Sequence, residues 1–134
     1  MLLPFPAALV ADEAKPWVAP AEARKMKNPV AVTGEGLSAA APLYQENCVR
    51  CHGATGAADG PSAGSLASEP AKFTDAKMLK AATDGELFWK ISNGRDPMPS
   101  YAQLPEADRW RLVNYVRDLA RRSQYRFLGV RHAR

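Results

Sequence analysis

Cys48-Val49-Arg50-Cys51-His52 is the stretch whose residue types and spacing point to a chemistry. Thiols three positions apart stand on the same side of one helical turn, so both can reach a single flat partner. The imidazole of the next residue then lies beneath the centre of that partner. Cys-x-x-Cys-His is the pattern for covalent attachment of c-type haem, with the thiols on the two vinyl groups and the histidine under the iron. Two other uses of the pair fit less well. A thioredoxin-like redox pair needs a βαβ context, and no convincing strand pattern occurs anywhere in the sequence. A structural zinc site wants four ligands, and only His132 remains as a further nitrogen ligand, inside a basic terminus.

Helices must position this motif. Thr83-Asp84-Gly85-Glu86 has the form of a capping box, which predicts a helix start at Thr83. Leu87, Phe88 and Ile91 form its apolar face, and Asn93-Gly94 ends it. A last helix should begin at Pro105 or Glu106, where Pro and the acids Glu106 and Asp108 suit the positive pole. Trp110, Val113, Val116 and Ala120 recur every three to four residues, and Leu112, Tyr115 and Leu119 widen the stripe. Met78 lies in the helical-looking run from Asp75 to Lys80 and reads as core filler.

From about Ser38 to Arg121 the sequence resembles the class I c-type cytochromes, small monohaem proteins of all-α fold. Three blocks carry the likeness, in order: Ala40 to Gly53, a helix ending in the haem motif; Gly94-Arg95-Asp96-Pro97-Met98-Pro99-Ser100-Tyr101, similar to the family's methionine-ligand loop; and Pro105 to Ala120, similar to its C-terminal helix. The resemblance implies one covalent haem c on Cys48 and Cys51, with His52 and Met98 as axial ligands. Met1 and Met26 precede the motif in segments without a folding signal, whereas Met98 stands between two prolines that restrict the backbone and remove amide donors. That suits a segment holding a thioether against iron. The resemblance also assigns Pro61 as the residue whose carbonyl accepts the histidine's free ring N–H, and Leu66 as packing on the haem face. Fixing the ring in this way makes the imidazole a stronger donor. Trp89 and Arg95 are candidates for the haem edge or propionates, with plain packing an equal reading of Trp89. Tyr101, at the end of the ligand loop, is a further candidate for haem binding. Tyr44 and Tyr115 match the aromatic positions where the family's first and last helices cross. Ala40 departs from the usual glycine there.

The 134 residues allow one compact domain plus tails. Residues 1–37 are expected to form an extended arm, broken by Pro16, Pro20 and Pro29, with Trp17 a candidate to dock on the domain. Its first eleven residues resemble the end of a secretory signal peptide, although no positive n-region precedes them. The apolar run Leu2 to Ala11 is too short to span a bilayer, which takes about 20 residues. Residues 38–122 form the expected cytochrome domain and residues 123–134 a basic tail. Eighteen basic and fourteen acidic residues give a net charge of +4, and residues 121–134 hold five arginines and no acid. A terminal excess of this kind is a solvated tail without a nucleic-acid role. Its expected partners are an acidic redox protein or an anionic membrane surface.

The resemblance implies a one-electron carrier between redox partner proteins, not an enzyme, since both axial positions are filled. Two alternatives remain open: an electron-transfer subunit of a larger oxidoreductase, and a haem sensor or enzyme should Met98 be labile. Because bacterial haem attachment follows export, a periplasmic or extracytoplasmic location is expected.

Overall fold

The computed structural model describes residues 15–129. Six α-helices follow one another among these residues: α1 (Ala21–Lys25), α2 (Gly34–Asn47), α3 (Val49–His52), α4 (Ala76–Ala81), α5 (Asp84–Asn93) and α6 (Glu106–Phe127). No strand occurs among the described residues, where β pairing is confined to one isolated bridge, Arg95 to Met98. This is the expected all-α architecture.

Local signals set most helix starts. The Thr33 hydroxyl accepts the Gly36 N–H at the head of α2, Asp75 accepts from Met78 at α4, and Thr83 accepts from Glu86 at α5. Each satisfies an amide that has no partner inside its helix. Packing then joins the helices. Ala40 is fully buried where α2 meets α6, and Tyr44 lies 5.0 Å from Tyr115 between ring centroids. Leu79, Leu112, Val116 and Leu119 complete this core, with Met78 packed against it as filler. A second core forms where Phe88 of α5 stacks on Trp110 of α6, with centroids 3.9 Å apart. Arg117 ties the corner between α4 and α5 to α6. It pairs with Asp84 at 2.9 Å and donates to the carbonyls of Ala82, at 2.7 Å, and Leu79.

The structure corrects the expected arm. Residues 15–33 do not trail away; they wrap α5 and α6. Ala19 and Ala23 are buried, and α1 packs on α5. Asn28 donates to Asn114 Oδ1 at 2.8 Å, and Asn114 donates back to the Val30 carbonyl at 3.1 Å. The prolines do end regular structure, but a five-residue helix fits between Pro20 and Met26. The first long helix also starts at Gly34, inside the expected arm. The approach of α1 to α5 depends on Gly85, where an added Cβ would stand 2.0 Å from the Ala23 carbonyl oxygen. Gly85→Ala should therefore lower stability by about 1–3 kcal/mol, the usual range for overpacking a tight contact. A denaturant melt checks this, and an unchanged midpoint would mean that the contact yields freely.

The C-terminal end is corrected as well. Helix α6 continues past Arg122 to Phe127, so the first residues of the expected tail are helical. Phe127 is 92% exposed and Leu128 70%, so neither packs back onto the domain. Arg121 and Arg122 share Asp118, at 2.5 and 2.6 Å. The signal-like residues 1–11, together with Val130, Arg131 and Arg134, lie outside the described residues.

Candidate haem site

Cys48 is the joint between α2 and α3. Its N–H donates to the Tyr44 carbonyl at 2.9 Å, closing α2, and its own carbonyl accepts from His52 at 2.9 Å, opening α3. The motif thus sits on a single short turn, as its spacing requires. Both thiols are free and half-buried. Burial pushes the Cys48 thiol up to about 12, and the neighbouring Cys51 adds to the shift. A redox-active dithiol needs the opposite, a lowered thiol pKa that populates thiolate. Cys48 is therefore not tuned to be the attacking thiolate of a disulfide exchange.

A loop winds back over this turn. Ala58 donates to the His52 carbonyl, Gly60 to Cys51 and Ser62 to Arg50, at 2.9, 3.2 and 2.9 Å. These bonds satisfy carbonyls that α3 is too short to pair internally. Gly60 makes the approach possible, since a Cβ there would lie 2.3 Å from the carbonyl oxygens of both Val49 and Arg50. Pro61 is exposed on this loop, and Leu66 is half-buried just after the 3-10 turn Ala63–Ser65.

The imidazole is held, but by a different carbonyl from the one expected. His52 Nδ1 lies 3.0 Å from the Ala71 carbonyl oxygen, not on Pro61. A carbonyl can only accept, so Nδ1 carries a proton, and in the neutral ring the lone pair is then on Nε2. The reason for the exchange is geometric. The loop through Gly60 and Ser62 is spent on the α3 backbone, while Phe73 stacks on the His52 ring at 4.4 Å and brings Ala71 beside it. Burial holds the His52 pKa below the usual histidine value, against the opposing Ala71 bond, and so favours the neutral ring. Neutral imidazole is the form that binds iron.

Met98 is half-buried in a tight turn. Met98 N–H donates to the Arg95 carbonyl at 2.7 Å, and Arg95 N–H donates back at 3.0 Å. Beyond the turn, Tyr101 N–H bonds the Ile91 carbonyl at 3.1 Å. The Tyr101 hydroxyl bonds the Asn47 carbonyl at 2.8 Å, next to Cys48. Burial raises the Tyr101 pKa, and Cys48 and Cys51 add to the shift. Tyr101 therefore joins the methionine turn to the haem helix. Trp89 and Arg95, the candidates for the haem edge or propionates, meet the N-terminal segment: Trp89 lies 6.4 Å from Trp17, and the Arg95 guanidinium sits 5.1 Å from the Trp17 ring centre. Sequence reasoning missed Ala71, Phe73 and Lys15. A backbone carbonyl has no side-chain signature, and Phe73 is a lone aromatic in a polar run.

The chain matches the family model described as cytochrome c oxidase, cbb3-type, subunit III over residues 35–116. This protein is a member of that c-type cytochrome family. Among solved structures, it is similar to a chain of the reducing HAO-like protein complex of Kuenenia stuttgartiensis, with 30% identity and a TM-score of 0.59. That likeness covers 68% of this chain and 46% of the other. The chain thus spans less than half of that neighbour. No curated protein matches. The cytochrome is an electron-transfer haem protein, and its family's prosthetic group is covalently bound haem c. The residues present fit that group: two free thiols on one turn, a neutral imidazole with Nε2 open, and a thioether on a pinned turn.

Proposed function

We propose that this cytochrome carries a single haem c on Cys48 and Cys51, ligated by His52 and Met98, and passes one electron at a time between protein partners outside the cytoplasm. When bound, the haem iron supplies the Fe(III)/Fe(II) couple. The chain's residues do the rest. Ala71 and Phe73 fix the imidazole, Tyr101 ties the methionine turn to the haem helix, and the loop through Gly60 braces the motif from behind. The observation that carries the reading is the bond of His52 Nδ1 to Ala71, which leaves Nε2 as the donor atom. With an imidazole and a thioether both committed, no coordination position is left for substrate, so this chain relays electrons and leaves bond chemistry to its partners.

A visible spectrum tests this directly. The ferric protein should show the weak red charge-transfer band of methionine–iron ligation and the bands of a low-spin iron. A high-spin ferric spectrum would favour the sensor or enzyme reading.

A second reading, a subunit of a larger redox assembly, is favoured by the names of the matching family and of the structural neighbour, both of which belong to multi-protein complexes. Co-purification of the native protein separates a stable subunit from a free shuttle. Among the described residues no helix is long and apolar enough to cross a membrane. The five arginines of residues 121–134, with no acid among them, are the proposed electrostatic contact. Deleting residues 123–134 should leave the haem spectrum intact but slow association with an acidic partner or anionic surface. It should also flatten the salt dependence, because exposed charges act over about 8–10 Å at physiological salt. A stopped-flow salt series checks this, and an unchanged slope removes the tail from docking.

A further inference from the structure

We infer that the N-terminal segment around Trp17 is a latch on the methionine turn, which makes Trp17 a positioning residue for Met98. The inference rests on Met98 being the axial ligand.

The Arg95–Met98 turn closes on itself through two backbone bonds, so it moves as one unit. Its placement then depends on what holds its two flanks. On the far side, Tyr101 is bonded to Ile91 and to Asn47. On the near side, the backbone passes from α5 through Gly94, which has a φ of 64°. The hold there comes from residues far away in sequence. Arg95 Nη1 donates to the Lys15 carbonyl at 2.8 Å, eighty positions upstream. The same guanidinium lies over the Trp17 ring at 5.1 Å, and Lys90 Nζ lies 5.5 Å from that ring. Trp17 is itself set against Trp89 of α5. Two cations and a second indole therefore converge on one aromatic ring, and one of those cations begins the ligand turn. The attraction between a guanidinium and an indole face is favourable even at a partly exposed site, and a bond from a charged donor to a carbonyl adds to it. With Trp17 removed, Arg95 keeps only the Lys15 carbonyl, on a strand of chain that has lost its own anchor. The turn would then open more often, and an external ligand could take the place of the thioether.

The experiment uses the ferric holoprotein and imidazole as the probe, titrated against the red band. Trp17→Ala should raise imidazole affinity about tenfold, the scale set by a cation–aromatic contact together with its dependent bond. Trp17→Phe, which keeps a ring, should recover most of the wild-type value. Met78→Ala provides a control that loosens the core away from the turn, and it should lower the melting temperature without moving the imidazole titration. Unchanged affinity in folded Trp17→Ala overturns the latch. An equal rise in Met78→Ala also overturns it, by showing that general loosening is enough. A separate outcome concerns the ligand itself: if Met98→Ala keeps the red band and the wild-type imidazole affinity, the axial assignment fails, whatever Trp17→Ala does.

Discussion

Replacing Met98 with alanine should abolish the red ferric band, lower the reduction potential, and create affinity for cyanide and carbon monoxide. The thioether favours the ferrous state relative to a stronger nitrogen donor, so its loss moves the potential down. The fold should survive, because the turn is closed by the backbone bonds of residues 95 and 98 and held at Tyr101, none of which uses the methionine side chain. Met78→Ala makes the contrast. Its side chain is partly buried against the core of Tyr44, Leu79 and Leu112, so it should cost stability, near or below the low end of the about 2–5 kcal/mol for a fully buried methionine, and leave the spectrum unchanged. Redox titration of both variants, with melts alongside, checks the pair. A spectral change in Met78→Ala with none in Met98→Ala would reverse the two roles.

The second large effect belongs to the thiols. Cys48→Ser with Cys51→Ser should yield protein whose haem is lost in denaturing acid, whereas the wild-type mass should retain one haem under the same treatment. The double variant should also accumulate poorly, since the face that haem would cover stays wet. Recovery of wild-type chain with two free thiols, from a host with intact cytochrome maturation, would contradict covalent attachment.

What the sequence revealed and what it hid follow a physical line. The haem turn, the Thr83 cap and the Pro-Met-Pro turn are local, written in residues within a few positions of one another, and the structure forms an element at each. Contacts made by backbone or by small side chains leave no such trace. The grip on His52 comes from a carbonyl nineteen positions away, at Ala71, and no side chain announces it. The N-terminal segment reads as a linker because Ala, Pro and Lys dominate it. Yet its hold comes from two buried alanines, a carbonyl against Gly85, and Asn28 reaching Asn114, eighty-six positions on. At the other end, the lack of an apolar stripe from Ser123 onward reads as the end of the helix. Extending a helix already nucleated takes little, and Arg and Gln favour it, so α6 runs on as a solvated rod.

The wrapped N-terminal segment bears on how this domain could be moved between proteins. The stretch recognisable as the family, residues 35–116, is not a self-sufficient piece. Excising it would strip Ala19 and Ala23 from α5 and leave Asn114 without the Asn28 and Val30 groups that satisfy it. It would also remove Leu119 and Ala120 from the main core. A portable electron-transfer module grafted into a fusion would have to begin by Lys15 and run at least through Ala120. Shorter grafts would keep the attachment motif and lose the scaffold that aims it.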